Sequence, residues 1–427
     1  MKIIHPLSGL DTVVSLPGSK SYTQRALIIA ALAEGQSVLR HPLLSEDTEH
    51  LMGALRAMGT QINIEPDRIV VKGTGGRILT PPYPIYLGNN GTAIRLLTTV
   101  ASLGRGVFTL TGDSRLCERP IGPLLEALKV LGVEADSRGD AGFPPVIINA
   151  DGLRGGYVCL RDIESSQYIS SLLISAPYAQ TDVVIDLKGH IPSLPYVEMT
   201  LDAMAAFGQV FMDASPHRYI VRAGRPYIGR EYTIEGDVSS ASYFFLAAML
   251  LKGRIRVENI NPRTRQGDMG LVPLMEDLGA SVKRGDDWIE MTGGAMTPGE
   301  RYFDLGDMPD MVPTFAILAA LRPGRTMITN VAHLRHKESN RLAVMATELG
   351  KVGIDAKETA DGLVIHGGTP HGAEIETYND HRIAMSFAVL GLLAPGMVIR
   401  NSTCVNKSFP EFWETLDSIY KIKHRRL

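Results

Sequence analysis

One type of segment recurs along this chain: a small or polar opening followed by an apolar run rich in Ala and Leu. It occurs six times. The openings are GSKSYTQRALIIAAL from Gly18, GNNGTAIRLLTTVAS from Gly88, ESSQYISSLLISAPY from Glu164, GDVSSASYFFLAAML from Gly236, MPDMVPTFAILAAL from Met308 and NDHRIAMSFAVLGLL from Asn379. They stand roughly 70–75 residues apart, longer than the period of short solenoid repeats, so each unit carries several elements.

The remainder of the unit recurs too. Amphipathic segments close on an apolar residue plus Gly, at Met58-Gly59, Leu131-Gly132, Phe207-Gly208, Leu278-Gly279 and Leu349-Gly350. Apolar residues one, four, and seven or eight positions before each Gly give helical periodicity with a C-terminal Gly. Paired short strands with a polar turn follow, as in QINIEPDRIVVKG, SVKRGDDWIEMTGG and GIDAKETADGLVIHGG. The unit reads apolar helix, strand, amphipathic helix, β-hairpin. A helix apolar on nearly all sides belongs in a core, and one with a single apolar face covers it.

This predicts an α/β protein of two domains, each with three units around three buried helices. The sixth unit stops after FPEFWETLDSIYKI without a hairpin, and strand material at Lys2 to Ile4 and Thr12 to Leu16 is left over. One domain is therefore expected at 19–235 and the other at 1–18 with 236–427, completed by the N-terminal segment. The chain would cross between them twice, which allows a hinge and an active site in the cleft.

Composition excludes several classes. With 43 basic against 46 acidic residues there is no basic excess of the kind nucleic-acid surfaces show. The most apolar stretch, Ala241 to Leu251, falls short of the roughly 20 residues a membrane span needs. The start shows no signal-peptide pattern. Cys117, Cys159 and Cys404 lack C-x-x-C spacing, so neither a disulfide framework nor a thiolate zinc site is expected. His333 and His336 form H-x-x-H without an evident third ligand. A cytoplasmic monomer is expected, with no metal or organic cofactor and no nucleic-acid or membrane partner.

Polar residues gather where the buried helices open: Lys20 and Ser21, Asn89 and Thr92, Ser165, Ser166 and Gln167, Asp310, and Asp380, His381 and Arg382. N-capping accounts for many Ser, Asn and Asp residues there. It does not account for Lys20, Arg25, Arg95 or Arg382, because a cation in a helix's first turns opposes the macrodipole. An anion bound at the helix N-terminus would reverse that penalty. Arg115, Arg119, Arg335, Lys337, Arg341 and Lys407 add positive charge at strand-to-helix connections, where binding residues collect. The implied ligand is polyanionic.

The segments LPGSKSYTQR, LGNNGTAIR, RLCERPIGPL, SSQYISSLL, PSLPYVEMTL, EGDVSSASYF, MPDMVPTFA, LRHKESNRL, YNDHRIAMS and NKSFPEFW follow one another in the order of a known family. Over essentially its whole length the chain resembles the 5-enolpyruvylshikimate-3-phosphate synthases. The resemblance implies the enolpyruvyl transferase fold: an inside-out α/β barrel in each of two globular domains, built from βαβαββ-type units around buried parallel helices. It implies transfer of the enolpyruvyl group of phosphoenolpyruvate to the 5-hydroxyl of shikimate 3-phosphate, with release of phosphate, on the route to chorismate and aromatic amino acids. It also implies that the chain is a target of glyphosate, which occupies the phosphoenolpyruvate site in the family.

By motif, the resemblance assigns Lys20, Ser21, Arg25, Ser165, Ser166, Gln167, Ser193, Tyr196, Asp310, His333 and Lys337 to shikimate 3-phosphate. It assigns Lys20, Gly91, Arg119, Gln167, Arg341, Arg382 and Lys407 to phosphoenolpyruvate. Catalysis falls to Asp310 as base, Glu338 as acid and Lys20. Two carboxyls in unlike settings suit an addition–elimination that needs a base at one atom and an acid at another. A helical ion pair of Glu338 with Arg341 is the plainer alternative. The chain departs from the family at His333 (usually Asn), Leu194 (often basic), Asn90 (often Ala) and Leu96 (often Pro).

A sister transferase acting on UDP-N-acetylglucosamine shares the fold and carries a Cys-bearing loop. Cys117 lies two residues before Arg119, which is not that loop's spacing, and reads as a packing or surface residue. An RNA-binding protein would want stacking aromatics, yet aromatics are 6%. A noncatalytic scaffold leaves the cations at helix starts unexplained.

Overall fold

The computed structural model describes residues 1–210, 213–215 and 217–421. The chain divides into two compact units, Gly18–Ile234 and Met1–Pro17 with Glu235–Leu427. Residues 422–427, the end of the segment expected at 236–427, lie outside the described residues.

In Gly18–Ile234 the helices are α1 (Lys20–Leu32), α2 (Glu46–Ala57), α3 (Gly91–Ser102), α4 (Gly122–Val130), α5 (Gln167–Ser175) and α6 (Pro195–Ala206). The other unit carries α7 (Val238–Leu251), α8 (Leu271–Asp277), α9 (Val312–Leu321), α10 (Arg341–Lys351), α11 (His381–Gly391) and α12 (Phe412–Lys421). Odd-numbered helices are the apolar runs and are buried almost throughout; eleven of the thirteen residues of α1 are buried. Such helices find their stability in packing rather than propensity. Thus α7, α9 and α11 pack pairwise, and α3 packs on α5. Each unit has its own apolar core. Burying each Leu, Ile or Phe there contributes roughly 1.5–3 kcal/mol.

Caps set where these helices begin. Ser19, Asn90, Asn340 and Asp380 accept backbone N–H groups of the first turns of α1, α3, α10 and α11. Left-handed Gly59, Gly132, Gly208 and Gly279 follow α2, α4, α6 and α8, where the pattern put them. The fifth stop differs from expectation. Instead of ending at Leu349-Gly350, α10 runs to Lys351, and Gly353 takes the positive φ of 86°. The extra turn is held by fully buried Glu348, which pairs with Lys351 at 2.8 Å and accepts from Glu376 N at 3.1 Å.

Among the described residues, five of the sheets have four strands in one common order, a parallel pair followed by an antiparallel hairpin. In one, Glu231–Thr233 runs parallel to Gln36–Arg40, which pairs antiparallel with Arg68–Lys72 and then Gln61–Glu65. Burial alternates along such strands, as the period-2 pleat requires. The N-terminal strands pair within their own unit. Asp11–Ser15 lies parallel to Arg254–Glu258, and Lys2–Ile3 antiparallel to Val398–Ile399. That second pairing completes a three-stranded sheet with Glu374–Ile375.

Three of the hairpins return to a buried helix through a glycine. A Cβ on Gly73 would stand 2.1 Å from Ala33 O, on Gly293 2.1 Å from Ala248 O, and on Gly367 1.7 Å from Arg322 O. The hairpins therefore press on the C-terminal carbonyls of α1, α7 and α9, with the helices' N-terminal ends left for polar side chains.

Candidate active-site residues

In Gly18–Ile234 the starts of α1, α3 and α5 carry the expected polar residues. Lys20 lies 3.3 Å from Asp47 at the start of α2. Asn90, besides capping α3, donates to the Asp47 carbonyl at 2.8 Å, a role Ala could not fill. Arg119, 4% exposed, donates to the carbonyl and side chain of Asn89 at 3.2 and 3.1 Å. Its guanidinium lies over Gly91: a Cβ there would come within 2.4 Å of it. Gln167 accepts from Arg95 at 2.7 Å and donates to Thr92 at 2.9 Å, which ties α5 to α3. Ser165 accepts from Gln167 N at 3.3 Å, and Ser166 is buried beside it.

Arg25 is the most informative side chain in this unit. It is 1% exposed, and its hydrogen bonds all go to neutral oxygens: Thr200 Oγ1 at 2.7 Å, Ser21 O at 3.0 Å, Tyr196 O at 3.1 Å and Ser170 Oγ at 3.5 Å. No carboxylate pairs with it among the described residues. Burial draws its guanidinium down to about 10. A buried cation without a counter-charge is costly unless an anion arrives to meet it. Nearby, Ser193 holds φ +60°, an uncommon conformation for a residue with a Cβ, and so sets the turn into α6.

In the other unit two buried arginines are paired with carboxylates. Arg341, at the start of α10 and 1% exposed, reaches Asp310 Oδ1, Glu338 Oε2 and Asp380 Oδ2, each at 2.8 Å. Burial works against its charge, but Asp380, Glu338 and Asp310 outweigh burial and raise its pKa well above the ordinary value. Arg382 donates to Asp310 Oδ2 at 2.6 Å from the start of α11. Burial tends to raise the Asp310 carboxyl, yet Arg382, Lys337 and Arg341 hold it well below the usual carboxylate range. The ion pair of Glu338 with Arg341, the plainer of the two sequence readings, is present.

His333 lies within the short helix Ala332–His336 and Lys337 directly follows it, while Lys407 is buried at the end of Ser402–Lys407. No group of three His, Cys, Asp or Glu side chains placed to hold a metal occurs among the described residues. Cys117 is half-buried beside Thr111.

Sequence reasoning missed Asp47, Thr200, Asp268 and Ser239, and left Asp380 as a helix start. Asp47 sits among acidic residues in the first turn of α2, where a carboxylate needs no explanation beyond the helix dipole. Nothing local marks it as the partner of Lys20.

Arginine and lysine side chains set at helix openings in both units, with Asp310 held ionised among those of one unit, suit an enzyme for small polyanions. A family model described as EPSP synthase (3-phosphoshikimate 1-carboxyvinyltransferase) matches residues 4–416. The chain belongs to this family. A 3-phosphoshikimate 1-carboxyvinyltransferase of Methanothermobacter thermautotrophicus is 44% identical over 410 residues, 96% of each chain. One from Syntrophobacter fumaroxidans is 42% identical over 421 residues, covering 98% of this chain and 99% of the relative. Among solved structures, an EPSP synthase from Acinetobacter baumannii superposes with a TM-score of 0.80 at 28% identity, covering 97% of both chains. No helix among the described residues is long and apolar enough to cross a membrane.

Proposed function

We propose that this chain joins phosphoenolpyruvate to the 5-hydroxyl of shikimate 3-phosphate, with phosphate as the leaving group, and that its two basic clusters supply the binding groups. In this reading each unit is an inside-out α/β barrel of three repeated segments around buried parallel helices, a fold that puts helix N-termini and ligand-facing cations at one end. The recurring strand order and the hairpin glycines support it.

Arg25, with Ser21, Ser165, Ser166, Gln167, Ser193 and Tyr196, would hold shikimate 3-phosphate, and His333, Lys337 and Asp310 would complete its contacts. The observation that carries this is the buried Arg25 guanidinium bonded only to neutral oxygens. Lys20, Gly91, Arg119, Gln167, Arg341, Arg382 and Lys407 would hold phosphoenolpyruvate. With no methyl group at position 91, the Arg119 guanidinium can lie along the start of α3.

The chemistry follows from the charges. Asp310 would take the proton of the 5-hydroxyl as its oxygen bonds to C2 of phosphoenolpyruvate, while Glu338 delivers a proton to the methylene carbon. The tetrahedral adduct then loses a proton from that methyl group and expels phosphate, a departure that fixed cations stabilise. While Arg341 and Arg382 both bond Asp310, its carboxylate is a weak base. Carboxylate and phosphate oxygens of an incoming substrate would compete for both arginines, relax their hold and raise its basicity toward working range.

Calorimetry with shikimate 3-phosphate tests the binding assignment. Arg25→Gln should weaken binding by at least about 100-fold, about 2.7 kcal/mol, within the range for a charge-assisted pair in a dry site. Unchanged affinity in the variant would remove Arg25 from the site.

A further inference from the structure

The openings of α7, α9 and α11 are linked by a hydrogen-bonded chain that ends on a carboxyl with no part in the proposed chemistry. Asp268, 4% exposed, lies in the short helix Gly267–Gly270. Ser239, 6% exposed in the first turn of α7, donates its hydroxyl to Asp268 Oδ2. Arg382 donates through Nη2 to Ser239 Oγ at 3.3 Å and to Asp310 Oδ2 at 2.6 Å. Its Nη1 reaches the Tyr243 hydroxyl at 3.4 Å.

Donor and acceptor accounting makes this chain directional. A guanidinium has donors only, so the Ser239 oxygen must accept from Arg382. The Ser239 proton then needs a different acceptor, and Asp268 supplies it. With that proton turned to Asp268, the Ser239 lone pairs face Arg382. We propose that Asp268, acting through Ser239, is a positioning residue that fixes the Arg382 guanidinium between Asp310 and phosphoenolpyruvate. This rests on the roles assigned above to Arg382 and Asp310.

The surroundings also give Asp268 a charge that changes near neutrality. Burial and then the Asp310 carboxylate raise it, Arg382 and the Ser239 hydrogen bond oppose them, Asp237 raises it further, and it comes to about 7. Below that pH the carboxyl is neutral and still accepts from Ser239. Above it, a second anion behind Arg382 competes with phosphoenolpyruvate for the same guanidinium.

Asparagine at this position keeps a carbonyl oxygen for Ser239 but cannot ionise; alanine removes the acceptor. Steady-state kinetics with saturating shikimate 3-phosphate, between pH 6 and 8, would compare the parent with Asp268→Asn, Asp268→Ala, Ser239→Ala and the double alanine variant. Thermal unfolding checks that each is folded. We expect both single alanine variants to raise the KM for phosphoenolpyruvate or lower kcat by at least about 10-fold. The double variant should be no worse than the deeper single one, since both cut the same link. The ratio of parental to Asp268→Asn KM should rise several-fold through about pH 7, which a purely structural carboxyl would not produce. Parental kinetics in Asp268→Ala, additive losses in the double variant, or a pH-independent ratio would each overturn the proposal. Calorimetric binding of glyphosate, an unreactive occupant of the phosphoenolpyruvate site in the family, in the presence of shikimate 3-phosphate repeats the comparison without turnover, so a wrong assignment of Asp310 as base would show separately.

Discussion

At the scale of single residues, the basic clusters of the two units use opposite electrostatic strategies. Arg25 is a buried charge bonded to neutral oxygens, whereas Arg341 and Arg382 stand in ion pairs with carboxylates among Asp310, Glu338 and Asp380. Asp310 is the pivot of the second arrangement. Asp310→Asn should lower turnover by a factor of at least about 100, the scale of a lost general base, while shikimate 3-phosphate binds with smaller loss. Near-parental turnover in a folded sample would take Asp310 out of the mechanism.

The same substitution should alter the acid limb of stability. The folded-state pKa of Asp310 is depressed, so its contribution is present above the ordinary carboxylate range and lost as pH falls toward the folded value. The melting temperature of the parent should therefore fall more steeply with acidification than that of Asp310→Asn. Parallel curves would contradict the depressed value. Gly91→Ala tests the neighbouring assignment. The added methyl must displace the Arg119 guanidinium, so glyphosate inhibition should weaken more than the KM for phosphoenolpyruvate. Equal effects on both, or none, would count against placing that ligand at Gly91.

Legibility in the sequence differed by the kind of signal. Lys20, Arg25 and Arg382 stood out because a cation near a helix start is locally unfavourable, and that mismatch is visible without a structure. Asp268 and Ser239 gave no such sign. Ser239 is an ordinary residue for a first turn, and its partners Asp268 and Arg382 lie 29 and 143 residues away. The bond between Arg25 and Thr200 spans 175 residues and has no sequence pattern of its own.

At the scale of elements, helix periodicity and polar turns made the hairpins legible: Gln61–Glu65 with Arg68–Lys72, and Ser281–Arg284 with Trp288–Thr292, sit where the alternation put them. The end of α10 was misread because two apolar-plus-Gly pairs stand three residues apart, Leu349-Gly350 and Val352-Gly353. Long-range contacts of Glu348 decide between them. The hairpin glycines are the sharpest test of how the elements seat. Gly293→Ala would drive a methyl into the Ala248 carbonyl at the end of α7, and overpacking of this kind typically costs about 1–3 kcal/mol. Chemical denaturation should show that loss with little change in m-value. An unchanged midpoint would mean that the hairpin does not press on α7 as described.

At the scale of the whole molecule, the family gives the reaction, and the two clusters give a physical account of how one chain performs it with lysine and arginine as its cations. In the proposed reading both clusters are needed, because the proposed shikimate 3-phosphate ligands are drawn mainly from Gly18–Ile234 and the proposed base and acid from the other unit. The most direct test is phosphate release in the presence of a strong divalent-metal chelator, with phosphoenolpyruvate and shikimate 3-phosphate supplied separately and together. The account predicts phosphate released one-for-one with the enolpyruvyl ether product, only when both substrates are present, and at the same rate with or without chelator. Release with UDP-N-acetylglucosamine in place of shikimate 3-phosphate, or activity lost in chelator and restored by a divalent ion, would contradict it.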